Sequence, residues 1–135
     1  MQVTKFKFKQ HESDLGSLVF LESCKDIPFT VQRVYYIYGV GNDIRRGLHA
    51  HKKLHQALIC VHGSCKIILD NGTEREEVLL DDPSEGLYVG NHVWREMYDF
   101  SPDAVLLVLA SEYYEKEDYI HDYDEFIKYV KENSK

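Results

Sequence analysis

Cysteine is scarce in this chain: Cys24, Cys60 and Cys65 are odd in number and show no CxxC spacing. That excludes a disulfide framework or a zinc knuckle as the organising device. Positive charge is short as well. Sixteen Lys and Arg stand against 23 Asp and Glu, a net charge of −7, and the basic residues are scattered rather than striped. No nucleic-acid surface is expected, because such a surface clusters basic groups against phosphates. Local arginines remain free to meet an anionic small molecule. No apolar run reaches the length of a membrane span, and the opening "MQVTKFKFKQ" has no apolar core of the signal-peptide kind. A soluble, cytoplasmic protein in a reducing compartment is therefore expected, with no membrane role. Internal repeats and low-complexity linkers are absent too, so the 135 residues are expected to form one domain, 1–135.

What is present is strand after strand. "TKFKFKQ" alternates with period two, and "GSLVFLE" (Gly16–Glu22), "VQRVYYIYGV" (Val31–Val40), "LHAH", "QALICVHG", "SCKIILDNG", "REEVLL", "GLYVG", "VWREMYDF" and "AVLLVLAS" follow closely. Turn sequences such as "GND", "DDPSEG" and "SPD" separate them. Asp70-Asn71-Gly72 is a hairpin signal, because the glycine tolerates positive φ. Short strands at this density predict an all-β sandwich or barrel of the jelly-roll or cupin kind. From Glu112 to Lys135 the period changes. Tyr119, Tyr123, Phe126, Ile127 and Val130 recur at helical spacing, which predicts a C-terminal amphipathic helix packing its aromatic stripe on the barrel or on a partner subunit.

"GLHAHKKLHQALICVHG" holds His49, His51, His55 and His62. His49 and His51 stand two apart on a predicted strand and share a face, with Leu48 and Ala50 on the other. From spacing alone, metal ligation, acid–base chemistry and a polar strand face remain open.

The segment resembles the first cupin motif: an HxH pair at His49 and His51 and a closing glycine at Gly63. Gln56 stands where that motif has glutamate. The second motif aligns with "EGLYVGNHV", keeping Gly90 but placing Val93 at the fourth ligand position. His92 is one residue off, which on a strand turns it to the opposite face. His55 falls in the turn after Lys52 and Lys53. Two imidazoles, an amide and a valine do not make a stable divalent-metal site, so no metal and no cofactor is expected. A pair of imidazoles inside a barrel suits proton transfer at neutral pH. "RVYYIY" puts Arg33 and Tyr35 on one face by alternation, with Tyr36 and Tyr38 on the other, and Arg95 shares the inward face of Val93. Such donors can support an enediolate as its charge develops.

A closer resemblance covers the chain from about Gly16 to Tyr129. The patterns "RGxHAHKKLxQ", "GLYVGxxVWxEMxDF" and "VLASxYYxxxDYIxxYDxF" look like those of the metal-independent cupin sugar 3,4-ketoisomerases that act on dTDP-4-keto-6-deoxy-D-glucose. The resemblance implies a homodimer that shifts the ketone from C4 to C3 through an enediol, upstream of amino-deoxysugars for surface glycans. It implies His51 as the base at C3, His49 as its proton-shuttling or orienting partner, and Tyr35 polarising the sugar oxygens. Arg33, Arg46 and Arg95 become candidates for the pyrophosphate or sugar oxygens, and Gln56 for a substrate contact or a histidine-orienting one. A related epimerase, a non-catalytic sugar-nucleotide binder and the configuration at C4 stay open at this point.

Overall fold

The computed structural model describes residues 1–133. Its elements are β1 (Lys5–Lys7), β2 (His11–Ser13), β3 (Gly16–Leu18), β4 (Arg33–Tyr38), β5 (Arg46–His51), β6 (Gln56–His62), β7 (Cys65–Asp70), β8 (Arg75–Leu80), β9 (Glu85–Val89), β10 (Trp94–Tyr98), β11 (Val105–Ala110), β12 (Tyr119–Ile120) and α1 (Tyr123–Asn133). One sheet runs β1-β9-β6-β11-β4 and the second runs β12-β5-β10-β7-β8, while β2 and β3 form a separate hairpin. Every strand pairing is antiparallel. The result is the expected small cupin barrel.

Patterning explains the layers. β4 alternates half-buried and exposed along its length, as an edge strand with one wet face should. β6 lies mid-sheet, and its "QALIC" is buried residue after residue. Between the sheets, Leu58 and Cys60 of β6 meet Cys65, Ile67 and Leu69 of β7, with Leu87, Leu106 and Val108 completing the core. Each such aliphatic side chain contributes about 1.5–3 kcal/mol on burial. This apolar filling occupies one part of the barrel and leaves the space between β4 and β5 to polar side chains. The Asp70-Asn71-Gly72 turn joins β7 to β8 as expected. Gly72 has φ +97°, and the Asp70 Oδ1 accepts its N–H at 2.8 Å.

The C-terminal segment differs from the expected helix over Glu112–Lys135. α1 begins only at Tyr123, and the last two residues of the expected span lie outside the described residues. Residues Lys116–Asp118 instead make a 3-10 turn, and Tyr119 and Ile120 pair with His51 and Ala50 as strand β12. Tertiary hydrogen bonds overrode the local period here: the carboxylate of Asp118 captures the amides of Lys53 and Leu54. The helix starts where the Asp122 carboxylate accepts the Glu125 N–H, an N-cap. Its Phe126 then packs with Ala50, Trp94 and Ile120 on the outer face of the second sheet. The predicted strand Gly16–Glu22 also ends early, at Leu18. No helix among the described residues is long and apolar enough to cross a membrane.

Candidate active site

A cavity of about 440 Å³ opens between the edge strand β4 and the β12-β5 side of the second sheet. Arg33, Tyr35 and Ile37 face it from β4, Arg46, Gly47 and His49 from β5, Met97 from β10 and Tyr119 from β12. The alternation of "RVYYIY" therefore works as the sequence implies, and Tyr36 and Tyr38 stack on each other outside.

β5 is not a regular strand. Gly47 (φ +84°) and Leu48 (φ +51°) adopt left-handed conformations, and the pairing with β10 slips between Arg95 and Glu96. This is a β-bulge, which bends a strand and re-aims its side chains. At Gly47 a Cβ would sit 3.2 Å from the Arg95 carbonyl oxygen, so the close approach requires glycine. Leu48 pays no such visit lightly: a left-handed non-glycine residue stores strain of about 1–3 kcal/mol, and such strain gathers at functional sites.

Beyond the bulge, the rings of His49 and His51 lie edge to face, 4.8 Å apart. His49 Nδ1 is 2.8 Å from the Gly47 carbonyl oxygen, and His51 Nδ1 is 2.9 Å from Asp118 Oδ2. A carbonyl or a carboxylate only accepts, so each Nδ1 carries the proton and each Nε2 is bare. Both Nε2 atoms are buried without a hydrogen-bond partner among the described residues. Burial first, and then the Arg95 charge, lower the pKa of both rings from the ordinary value near 6.5; His49 falls to about 3. Both imidazoles are neutral at pH 7.

This depression makes stability depend on pH, with a definite sign. The unfolded chain takes a proton on His49 near 6.5, whereas the folded one does so only near 3. Below 6.5 the unfolded state binds more protons, so stability is lost as pH falls, by about 1.4 kcal/mol per unit for one such group. We expect a wild-type unfolding free energy roughly 2–3 kcal/mol lower at pH 4.5 than at 6.5 from this group alone. Chemical denaturation of wild type and His49→Asn at both pH values checks it: the variant loses that part of the dependence. An equal dependence in both would mean that His49 is not buried neutral.

Gln56 and Arg95 stand one layer behind the cavity wall, both fully buried. The Arg95 guanidinium donates to the Gln56 carbonyl oxygen, and its Nη2 donates to the Val93 carbonyl at 3.0 Å. Gln56 Nε2 in turn donates to the Tyr35 hydroxyl oxygen at 2.9 Å, which leaves the Tyr35 O–H free to donate into the cavity. Burial raises the Tyr35 pKa, so this proton stays on the oxygen at neutral pH. All three donors point the same way, an arrangement in which each bond polarises the next. Arg33 lies 5.4 Å from the Tyr35 ring and 5.7 Å from the Tyr114 ring; its Nε and Nη2 are buried without a hydrogen-bond partner among the described residues. Arg46 is exposed at the rim.

Metal ligation does not suit these residues. At the two remaining cupin ligand positions, the Gln56 carbonyl is taken by a guanidinium and Val93 offers no donor. The buried Arg95 cation would also repel a dication beside the histidines.

Three residues escaped the sequence reading. Asp118 partners His51; the Tyr119 ring lies 4.4 Å from the His51 ring; and His121 stacks on Tyr119 at 5.3 Å, 6.0 Å from His49. All sit in the stretch assigned to a helix. The one available signal was the fixed "DYI" within "VLASxYYxxxDYIxxYDxF", an acidic and aromatic pair that a packing helix does not need. His55 and His92 do not line the cavity. His55 Nδ1 pairs with the Tyr88 hydroxyl. His92 lies in the turn before β10 with φ +62°, not on a strand face as its spacing suggested, because its amide is drawn to the His51 carbonyl at 2.8 Å.

Comparison with known proteins adds the following. The model of the family described as "FdtA: WxcM-like, C-terminal" matches residues 1–131. The TDP-4-oxo-6-deoxy-alpha-D-glucose-3,4-oxoisomerase of Aneurinibacillus thermoaerophilus is 52% identical over 130 residues, covering 96% of this chain and 94% of that one. The H51N variant of the 3,4-ketoisomerase QdtA from Thermoanaerobacterium thermosaccharolyticum, in complex with TDP-4-keto-6-deoxyglucose, superposes with a TM-score of 0.94 at 52% identity, covering 97% of this chain and 95% of that one. A 3,4-ketoisomerase from Helicobacter canadensis superposes equally well, with a TM-score of 0.94 at 46% identity, covering 97% and 98%.

Proposed function

The chain belongs to the family described as "FdtA: WxcM-like, C-terminal", and from that premise we propose that it is a dTDP-sugar 3,4-ketoisomerase, residues 1–135 acting as one cupin unit. Its substrate is dTDP-4-keto-6-deoxy-D-glucose, and its reaction moves the ketone from C4 to C3. One observation carries the reading. At one cavity the His49 imidazole, the Tyr35 hydroxyl with a free O–H and the Arg33 guanidinium with unused N–H groups meet, while His51, fully buried behind the lining, packs its neutral ring edge to face against His49 with its own Nε2 unpartnered among the described residues.

The chemistry follows from those groups. His51 Nε2 takes the C3 proton; the C3–H electron pair becomes a C3–C4 double bond, and the carbonyl electrons move to O4. The Tyr35 O–H and the Arg95 charge behind it support the negative oxygen, because they are fixed before it forms. His49 carries the O3 proton to O4. His51 then returns a proton to C4 while the O3 electrons restore a carbonyl at C3. Arg33, and Arg46 at the rim, hold the pyrophosphate or sugar oxygens, a task that suits a forked donor. The product feeds amino-deoxysugar formation for surface glycans, in the cytoplasm where nucleotide sugars are made.

Incubation with dTDP-4-keto-6-deoxyglucose in deuterium oxide, read by NMR, tests the reading. We expect the ketone at C3 and deuterium at C4. Exchange at C3 with the ketone still at C4 would indicate an epimerase, and binding with no exchange a sugar-nucleotide carrier.

The unit proposed is a homodimer. The β2–β3 hairpin pairs with neither barrel sheet, its tip residue Leu15 is 99% exposed, and Leu18 and Phe20 beside it are half bare. Apolar side chains presented this way suit a second copy, as does the open edge of β1. Sedimentation at micromolar concentration is expected to show the dimer mass, and Leu15→Glu with Leu18→Glu to shift it to monomer. A monomeric wild type would overturn the proposal.

A further inference from the structure

We propose that Asp118 is a positioning residue of the isomerisation: its carboxylate, anchored by two backbone amides, holds His51 as the Nδ1–H tautomer and so leaves Nε2 bare to act as the base. The inference rests on the ketoisomerase reading for its consequence in turnover, but not for the tautomer itself.

The geometry is closed on every side. His51 is fully buried and Asp118 nearly so, at 4% exposure. Asp118 Oδ1 accepts the Lys53 N–H at 2.7 Å, while Oδ2 accepts His51 Nδ1–H at 2.9 Å and the Leu54 N–H at 3.4 Å. The Lys52 N–H also donates to the Asp118 main-chain carbonyl at 3.0 Å. The aspartate is thus tied to the turn that leaves β5, and the tie runs through the strand that carries His51. Its strand neighbour Tyr119 pairs with His51 in register and lays its ring against the imidazole, so the ring plane is set as well as the proton. His49 has no such carboxylate; its Nδ1 rests on a main-chain carbonyl. A carboxylate stabilises an imidazolium that forms beside it more than a neutral carbonyl does. This asymmetry marks His51, rather than His49, as the ring built to gain a proton during the reaction.

The substitution Asp118→Asn separates positioning from mere bracing. The Lys53 and Leu54 amides both only donate, and the Lys53 contact, at 2.7 Å against 3.4 Å, is the stronger, so it holds the asparagine oxygen at the Oδ1 position. The asparagine NH₂ then falls at the Oδ2 position and faces His51 Nδ1, where it can only donate. His51 must accept there, and its proton moves to Nε2. The turn keeps its shorter anchor, yet the base is blocked. In the well-studied histidine–aspartate pair of serine proteases this same change costs about 10⁴ in kcat by inverting the tautomer.

Two measurements on the full chain decide it. The first is the ¹⁵N chemical shift pattern of His51 at pH 7, which distinguishes protonated from bare ring nitrogens. Wild type is expected to show Nδ1 protonated and Nε2 bare, and Asp118→Asn the reverse. The second is kinetics: kcat of the variant is expected to fall at least 100-fold, with KM changed less than about threefold. A wild-type His51 carrying its proton on Nε2 overturns the proposal even if the variant does not fold. A folded variant with unchanged kcat, or with KM rising as kcat holds, overturns it too. A wild type that shows the expected tautomer but no isomerase activity would instead sink the ketoisomerase reading alone.

Discussion

Replacing His51 with asparagine is expected to lower turnover by about 10²–10⁴-fold, the usual effect of losing a general base, while the nucleotide still binds. Asparagine fills a similar volume and keeps a donor toward Asp118, so the buried pair at 2.9 Å is not left with an unanswered carboxylate. What it cannot do is accept the C3 proton. The loss should therefore appear in deuterium exchange at C3 and in kcat, with TDP affinity within a few-fold of wild type. His49→Asn should also be impaired, but by a different step. Its imidazole carries a proton between two substrate oxygens in this mechanism, so exchange at C3 persists while the 3-keto product accumulates slowly. His55→Asn and His92→Asn are the internal controls, since their rings are engaged by Tyr88 and Tyr129 outside the cavity. An essential His55 with a dispensable His51 would overturn the assignment.

Arg95→Met is expected to cost about 10²–10³ in kcat, the range for losing a preorganised oxyanion donor, because it releases the Gln56 bond that holds the Tyr35 O–H in place. Methionine is long and apolar, so it fills most of the buried space without a cavity. The Gln56 carbonyl loses its partner, an unsatisfied buried acceptor worth about 1–3 kcal/mol of stability. Gln56 is then free to turn, and the hydrogen bond that directs the Tyr35 O–H toward the cavity is no longer enforced. The pH profile carries a second, independent mark. Arg95 is the leading charge holding both histidines below their ordinary value. Without it their pKa values rise, so the acid limb of kcat/KM moves to higher pH. Arg95→Lys keeps the charge but not the fork, and its acid limb should stay closer to wild type. If Arg95→Met lowers the rate and leaves the limb in place, the guanidinium acts by hydrogen bonding alone and its electrostatic role is refuted.

Much of this site was legible because its signals are local. Arg33 and Tyr35 share a face by strand alternation, and His49 and His51 do so two residues apart, whatever the strand pairs with. The core strands were legible for the same reason, since apolar runs such as that of β6 can be satisfied only in the middle of a sheet. By sequence Gln56 is a candidate for a substrate contact or a histidine-orienting one, and Arg95 for the pyrophosphate or sugar oxygens; the structure buries both fully, outside the cavity lining. Most of their polar atoms bond each other, Tyr35 and Val93, partners up to 39 residues distant, while Arg95 Nε is buried without a hydrogen-bond partner among the described residues. Nothing in the local pattern distinguishes an inward residue that reaches the cavity from one that supports its neighbour.

The sequence by itself determined the barrel, the inward faces of its strands and the histidine pair, because period-two alternation and turn chemistry are written within a few residues. Tertiary structure alone decided where the protons sit. The Asp118 carboxylate reaches His51 from 67 residues away, through a segment whose helical period was overruled by hydrogen bonds to β5 and the turn after it. The bulge at Gly47 and Leu48, which re-aims the strand just before His49, likewise comes from pairing with β10, not from β5 alone. Tautomer, ring orientation and charge state depend on which atoms a fold brings within hydrogen-bonding distance. Sheet order sets that, and spacing along the chain does not.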